Sequence, residues 1–170
     1  MRGFLLDAML GDLAKWLRIL GYNAVYLPKH DDKALMDKAV KDELTLITRD
    51  RELFKKALNK GVEVYLLSTY KCYEALAELS VVFGIRLDLD PFETRCPKCN
   101  RELKLVVSKV FEGKAPHNVL ADNKVLWYCE GCNSIYWIGS HYRSMRRMLN
   151  MAKEVRPVVA NRIHLIKIMK

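Results

Sequence analysis

The sequence predicts an α/β protein in which a parallel sheet flanked by helices is followed by a small zinc-ribbon module. Over roughly the first 90 residues, short apolar strands alternate strictly with amphipathic helices. Such alternation implies right-handed crossovers, which place all strands parallel. Two Cys-x-x-Cys pairs follow, and the 170 residues, 51% of them apolar, suffice for one ordinary domain with a small appendage.

Hydrophobic periodicity places the first strands and helices. We predict a strand at residues 3–6 and a helix at 9–20, whose leucines recur at helical spacing and which stops at Gly21. A second strand at 24–27 precedes a second helix at 32–41. Each helix has one apolar face to lay against the sheet.

The same alternation continues to the end of this half. Strands are predicted at residues 44–48 and 62–67, and helices at 51–59 and 70–83. Cys72 lies on the apolar side of the last helix, so we expect a buried thiol there.

The two cysteine pairs have the spacing of a tetrahedral zinc site. A gap of two residues lets both thiolates of a pair reach one ion, and two pairs fill its four positions. A filled shell leaves no room for substrate, so the zinc is expected to be structural. Because the cysteine spacing suits a metal site better than a disulfide framework, it also favours a reducing compartment, and we expect the cytoplasm. The predicted ligands are Cys96, Cys99, Cys129 and Cys132.

Around these cysteines the pattern becomes ribbon-like. Alternation predicts strands at residues 103–111 and 125–128, with an exposed loop at 113–123 because the two pairs are unusually far apart. The sequence thus divides into an α/β domain, a four-cysteine ribbon and a basic helix with a tail, at residues 1–90, 91–140 and 141–170.

Positive charge is concentrated at one end of the chain. Residues 140–170 contain eight Lys or Arg and one acid, which accounts for most of the net charge of +9. Apolar residues recur at helical spacing from Met145 to Ala152 and predict a basic helix, whereas 158–170 has no clear period. Nucleic acid is the expected partner rather than a membrane, with a merely solubilising tail as the alternative.

Three aspartates follow strands and should meet at the carboxyl edge of the sheet. Asp7 follows the first strand, Asp32 begins the second helix, and Asp50 follows the third strand. Carboxylates held close together repel one another unless a cation neutralises them, and oxygen ligands suit Mg²⁺ or Mn²⁺. Thr48 is placed to hydrogen-bond a carboxylate or the attacking water. These residues predict a site for phosphodiester hydrolysis.

Other aspartates are further candidate metal ligands, and helix capping is an alternative role for two of the three main ones. Asp12, in the first turn of a helix, and Asp31 are further candidates for the same crevice, and Asp37 is a possible additional member. Alternatively, Asp32 and Asp50 are helix N-caps, a common role for aspartate after a strand.

Five segments together resemble the Mut-seven C-terminal RNase domain family. They are residues 4–11, 13–22, 46–51, 95–100 and 136–142, and the resemblance spans roughly residues 2–150. It implies a PIN-like nuclease fold with a zinc ribbon, metal-dependent ribonuclease activity, and metal-binding roles for Asp7, Asp32 and Asp50. Asp12 is less secure, because many relatives have a basic residue there.

Basic and aromatic side chains are candidates for holding RNA. Aromatic residues near the second cysteine pair either stack on bases or wall the ribbon, and we favour the wall for Trp127 and Trp137. The expected phosphate contacts are Lys15, Arg18, Arg49, Arg51, His141, Arg143, Arg146 and Arg147.

The sequence therefore predicts a cytoplasmic, metal-dependent ribonuclease acting endonucleolytically on single-stranded RNA. Its rival is a noncatalytic RNA-binding or ribosome-associated zinc-ribbon protein. A toxin-like nuclease would share the chemistry and differ in biology. A homo-oligomer is compatible with either function.

Overall fold

A parallel sheet forms the first half of the molecule. The computed structural model describes residues 3–168, with side chains for 3–164, and within this range four strands pair in parallel. Their order is β2-β1-β3-β4, and β1 and β3 are buried along their whole length. The predicted fold class is confirmed. The strands are β1 (Phe4–Leu6), β2 (Ala24–Tyr26), β3 (Thr45–Thr48) and β4 (Val64–Leu66).

Helices cover both faces of this sheet. Side chains alternate along the central strands, so Leu5 and its register partner Leu46 face one way while Leu6 and Ile47 face the other. One pair of helices, α2 and α3, packs around Leu5 and Leu46, and the pair α1 and α4 packs on the opposite face. The helices are α1 (Gly11–Ile19), α2 (Asp32–Lys41), α3 (Arg51–Asn59) and α4 (Cys72–Phe83).

The first predicted helix begins differently in the structure. A 3₁₀ turn at Ala8–Leu10 precedes α1, because the Asp7 side chain caps that turn by accepting a hydrogen bond from the backbone N of Met9. The predicted bounds of α2 and α3 agree with the structure.

The ribbon is an antiparallel sheet in the order β5-β6-β7. Its strands are β5 (Lys104–Val107), β6 (Val125–Tyr128) and β7 (Ile135–Tyr136). Two predictions here are wrong. The strand expected at 103–111 ends at Val107 and continues as a 3₁₀ turn, Ser108–Phe111, and the expected loop at 113–123 contains α5 (His117–Asp122). Both changes have one cause: Phe111 and Val119 fold inward over Leu126 to give the ribbon its own small core.

A long helix, α6 (Ser140–Ile168), returns from the ribbon to the first half. Leu149, Ala152 and Val159 are buried in the same core cluster as α1 and α4. The predicted basic helix therefore continues through Pro157 and across the following segment, which has no clear hydrophobic period. Residues 169–170 of the predicted tail lie outside the described residues, and the division at residues 90 and 140 stays a prediction. Within the described part of the chain, no helix has the length and apolarity needed to cross a membrane.

Candidate active site and metal centre

The sheet has a topological switch point between β1 and β3. The chain passes from β1 to β2 on one side and then to β3 on the other side of β1. As a result, α1 and α3 pack on opposite faces of the sheet. Ligands of open α/β sheets bind in the crevice outside such diverging strand ends. Asp7 directly follows β1 and Thr48 ends β3, so both residues lie at this crevice.

A chain of hydrogen bonds joins Asp7, Thr48 and Asp50. Oδ2 of Asp7 accepts a hydrogen bond from the Thr48 hydroxyl, while its Oδ1 accepts from the backbone N of Met9 at 2.9 Å. The Thr48 hydroxyl oxygen in turn accepts from the backbone N of Asp50 at 2.9 Å. Because Asp7 is only 5% exposed and Thr48 is fully buried, these bonds fix the carboxylate in one orientation.

Asp50 is exposed at the N-terminus of α3. Its Oδ1 caps the helix by accepting from the backbone N of Glu52 at 2.7 Å and of Leu53 at 3.1 Å. The positive end of the helix dipole stabilises a carboxylate there. Capping does not exclude a second role, because a carboxylate has two oxygens and about four lone pairs.

Asp32 and Asp12 each pair with a lysine. Oδ2 of Asp32 accepts from Nζ of Lys56 at 2.7 Å, and this bond raises the pKa of Lys56, with smaller contributions from the charges of Asp50 and Glu52. Asp31, not Asp32, caps α2. Asp12 is exposed and pairs with Lys15 at 3.0 Å.

The acids therefore share an edge without converging as closely as the cysteines do. Among the described side chains, the cysteine quartet is the group of three or more acidic, histidine or cysteine residues whose ligand atoms all lie within 4.8 Å of one another. Asp7 and Asp50 are instead linked through Thr48, and Asp32 pairs with Lys56, whose charge also interacts with that of Asp50.

The cysteines form a compact quartet of the size that a zinc ion requires. Two sulfur pairs, Cys96 with Cys132 and Cys99 with Cys129, lie 3.5 and 3.3 Å apart. A tetrahedral ion with Zn–S bonds of about 2.3 Å would place its sulfurs about 3.8 Å apart. The observed distances lie near that value and are far longer than the roughly 2.05 Å of a disulfide. The quartet can hold a zinc ion.

Two cysteines of the quartet differ in acidity when no metal is bound. Burial raises the pKa of Cys129 to about 12, whereas a hydrogen bond with the Ser134 side chain lowers the pKa of Cys132 to about 6. A zinc ion in the quartet would remove this difference, because coordination deprotonates a thiol outright.

A match to a protein-family model shows which family this chain belongs to. The model described as the Mut7-C RNAse domain matches residues 2–149, a span that contains the aspartate edge and the cysteine quartet. The chain belongs to the Mut7-C RNase domain family. Searches of curated proteins and of solved structures found no match. The family assignment indicates a ribonuclease-like function.

In this Mut7-C protein, Arg18 connects the first half to the ribbon. Its guanidinium donates from Nε to the Ala24 carbonyl at 2.7 Å and from Nη1 to the Pro97 carbonyl at 2.9 Å. Arg18 is 7% exposed, and burial lowers its pKa. These contacts give Arg18 a structural role, with which its predicted phosphate contact would have to coexist.

Gly21 and the side chains of two asparagines complete this junction. Gly21 has φ of 90°, and a Cβ there would lie 2.2 Å from the Glu93 carbonyl oxygen. The segment around Glu93 therefore crosses the end of α1 at a point where only glycine fits. Asn100 beside the first cysteine pair donates to Asn23 Oδ1 at 2.7 Å and accepts from the backbone N of Ala24 at 3.2 Å. The ribbon is thereby held against the start of β2.

Arg49 holds a loop of the Mut7-C domain. Its Nε and Nη2 each donate at 2.8 Å, to the carbonyls of Thr69 and Tyr70, and its guanidinium lies 5.4 Å from the Tyr70 ring centroid. The predicted phosphate contact at Arg49 would have to coexist with these bonds.

Glu78 is a buried acid at the same edge that the sequence analysis missed. It is 1% exposed, and its carboxylate accepts hydrogen bonds from the Tyr65 hydroxyl and from the backbone and hydroxyl of Ser68. Thr69 adds a further hydroxyl donor at 3.2 Å. Its position among buried apolar residues of α4 is the sequence feature that could have predicted a buried acid here.

The remaining predicted contacts lie on the surface. Their side chains are exposed, which leaves their predicted role in RNA binding open, and they are Lys15, Arg51, His141, Arg143, Arg146 and Arg147.

Proposed function

We propose that this protein is a metal-dependent ribonuclease that hydrolyses phosphodiester bonds of single-stranded RNA endonucleolytically. The observation that supports this proposal is the hydrogen-bonded unit of Asp7, Thr48 and Asp50 at the switch point between β1 and β3. Acids at such a crevice are suited to a divalent ion, and the ion to a substrate phosphate.

The residues at the crevice fit Mg²⁺ or Mn²⁺. Carboxylate oxygens are the ligands these ions prefer, and Asp7, Asp50 and Asp32 are the proposed set. When bound, such an ion supplies activation of the attacking water and neutralisation of the leaving oxygen. Thr48 keeps the Asp7 carboxylate oriented, and Asp50 presents its exposed carboxyl group at the start of α3.

We assign substrate binding to the ribbon and the basic surface. The zinc ion is structural, since four cysteines fill its coordination shell. Lys15 and Arg51 flank the aspartate edge, and the exposed arginines of α6 extend the positive surface beyond it. Electrostatic attraction of this kind is independent of sequence, so we expect RNA affinity to fall as salt rises.

A noncatalytic RNA-binding protein is the second candidate. One observation favours it: the acids already have structural partners, because Asp7 and Asp50 cap helical turns and Asp32 pairs with Lys56. In that case the ribbon and the basic surface bind RNA, and the aspartate edge only stabilises the fold.

A cleavage panel separates the two functions. Single- and double-stranded RNA and DNA are incubated with Mn²⁺ or Mg²⁺ and either the wild type or Asp50→Asn. We expect the wild type to cut single-stranded RNA, and Asp50→Asn to bind it without cutting, since asparagine caps a helix as well as aspartate does but lacks the charge. RNA binding without cleavage by the wild type would instead favour the noncatalytic protein.

A further inference from the structure

A large aromatic groove lies between the first half and the ribbon, away from the aspartate edge. Its volume is about 860 Å³. Its walls come from α1, the linker before the first cysteine pair, the ribbon and the first turns of α6. All three tryptophans of the chain, Trp16, Trp127 and Trp137, line it together with Tyr136 and Tyr142.

The groove is the open continuation of the protein core. His141, Ser144, Met145 and Met148 line it at the spacing of one helical face. Further along the same helix, Leu149, Ala152 and Val159 are buried against the first half. The apolar stripe of α6 is therefore covered by protein in its later turns and faces the groove in its first turns.

The aromatic walls are held in fixed positions. The Trp127 indole donates from Nε1 to the Pro91 carbonyl at 2.7 Å, and the Tyr136 hydroxyl lies 3.2 Å from the Cys96 sulfur. The Trp137 ring packs over Gly139, where a Cβ would lie 3.2 Å from its Nε1. Walls that are already ordered lose little entropy when a planar ligand enters.

Helix α1 joins the groove to the candidate active site. The helix starts at Gly11, one 3₁₀ turn after Asp7, and carries Asp12 in its first turn. Trp16 follows Asp12 by four residues, which is one helical turn, or about 6 Å along the axis. A strand of nucleic acid lying along α1 would therefore run from the groove at Trp16 toward the aspartate edge.

The exposed charges on the first turns of α6 favour an anionic ligand with flat apolar parts; the groove lining itself contains one acid, Asp90, and one arginine, Arg95. Between residues 140 and 153 the sequence has no acid, and Arg143, Arg146 and Arg147 are exposed on the outer side of the same helix. These charges attract a phosphate backbone to this end of the molecule, whereas the aromatic lining suits bases that stack.

We propose that the groove binds unpaired bases of an RNA strand by stacking on its aromatic walls. The proposal rests on the proposed function for its substrate class, and it assigns recognition of single strands to the groove. Duplex RNA presents no free base faces, so the groove selects unpaired segments.

Tryptophan fluorescence tests this directly, because every tryptophan of the chain lines the groove. Zinc-loaded Asp50→Asn protein is titrated with a 12-nucleotide single-stranded RNA, an abasic strand of equal length and the corresponding duplex. We expect strong quenching by the single strand alone, and weaker binding of the abasic strand. Equal affinity and equal quenching for the abasic strand would overturn the proposal.

Matched variants locate the contact. Trp137 is 43% exposed, so its truncation should leave the fold intact. We expect Trp137→Ala to weaken single-strand binding about 5-fold to 150-fold, which corresponds to one lost stacking contact, and Trp137→Phe to retain most of it. Phe92→Ala, at an 81% exposed aromatic residue outside the groove lining, serves as the control. The same affinity in Trp137→Ala and Phe92→Ala would contradict the proposal.

The two proposals can fail separately. Cleavage by the wild type without a base-dependent fluorescence change would overturn the groove alone. Base-dependent quenching without any cleavage would support the groove and overturn the ribonuclease. Quenching by an apolar peptide that RNA does not displace would overturn the assignment of RNA as occupant.

Discussion

At the scale of single residues, the carboxyl edge depends on two kinds of buried acid. Asp7 is a fixed carboxylate facing the crevice, whereas Glu78 lies beneath the edge and accepts hydrogen bonds from the segment that links β4 to α4. Arg49 binds the carbonyls of the same segment. Glu78 therefore helps to place the residues around Asp50 without approaching a substrate itself.

Replacing Glu78 with glutamine should destabilise the protein. In Glu78→Gln the amide oxygen can still accept from Tyr65 and from the Ser68 backbone, but the hydroxyls of Ser68 and Thr69 must reverse to accept from the amide nitrogen. Charge-assisted hydrogen bonds thereby become weaker neutral ones. We expect the free energy of unfolding to fall by about 1–3 kcal/mol, measured by urea denaturation. Glu74→Gln, one helical turn earlier at a loose surface pair with Lys71, is the control. Equal stability of the two variants would exclude this role.

The candidate site was only partly predictable from the sequence at this scale. Asp7, Thr48 and Asp50 follow from strand ends alone, because parallel strands share a carboxyl edge. The pairing of Asp32 with Lys56 joins two helices, and the burial of Arg18 depends on where the ribbon docks. Local hydrophobic periodicity predicts neither contact.

At the scale of elements, local sequence patterns predicted helix bounds correctly where tertiary packing does not alter them. The bounds of α2 and α3 agree with those predicted from periodicity and capping aspartates. Two elements escaped prediction for physical reasons. Helix α5 exists because Val119 covers the ribbon core, and α6 continues past Pro157 because its apolar stripe packs on the first half. Proline normally interrupts a helix, so tertiary packing overrides a local rule here.

The zinc ribbon and α4 should hold thiols of different reactivity. Burial raises the pKa of Cys72 to about 11, which keeps this thiol protonated and slow to react at neutral pH. We expect the zinc-loaded protein to react slowly with a thiol reagent, and a strong chelator to release four fast thiols and one zinc ion per chain. Hydrogen exchange should then rise in residues 93–140 and stay low in the sheet.

Two controls make the chelator experiment decisive. Cys96→Ser should lose zinc, whereas Cys72→Ser should keep it with full stoichiometry. A chelated protein whose ribbon exchanges no faster than before would contradict the structural role of the metal.

At the scale of the whole molecule, α6 closes the structure by returning from the ribbon to the core of the first half. Lys153 pairs with Asp88 at 2.5 Å, and Nε of Arg156 donates to the Ser80 hydroxyl at 3.1 Å, so polar contacts flank the buried stripe. The basic surface is thus carried by a helix that also completes the core. The exposed arginines and the buried packing residues lie on opposite sides of one helix.

Truncation within this stripe should cost global stability. Leu149 is 3% exposed, so Leu149→Ala would leave a cavity between α6 and the first half. We expect the free energy of unfolding to fall by about 2–5 kcal/mol, measured by urea denaturation. Met151→Ala, at a 37% exposed position of the same helix, is the control. A similar small change in both variants would show that α6 is only loosely attached.

The most direct test of the ribonuclease proposal is a single-turnover cleavage rate on labelled single-stranded RNA with saturating Mn²⁺. Asp7→Asn and Asp50→Asn are compared with Asp37→Asn, an exposed acid of α2 outside the proposed ligand set. We expect about a 100-fold or greater loss of rate for Asp7→Asn and Asp50→Asn, with RNA affinity retained, since several kcal/mol of metal assistance is removed. Wild-type rates in both Asp7→Asn and Asp50→Asn would contradict it.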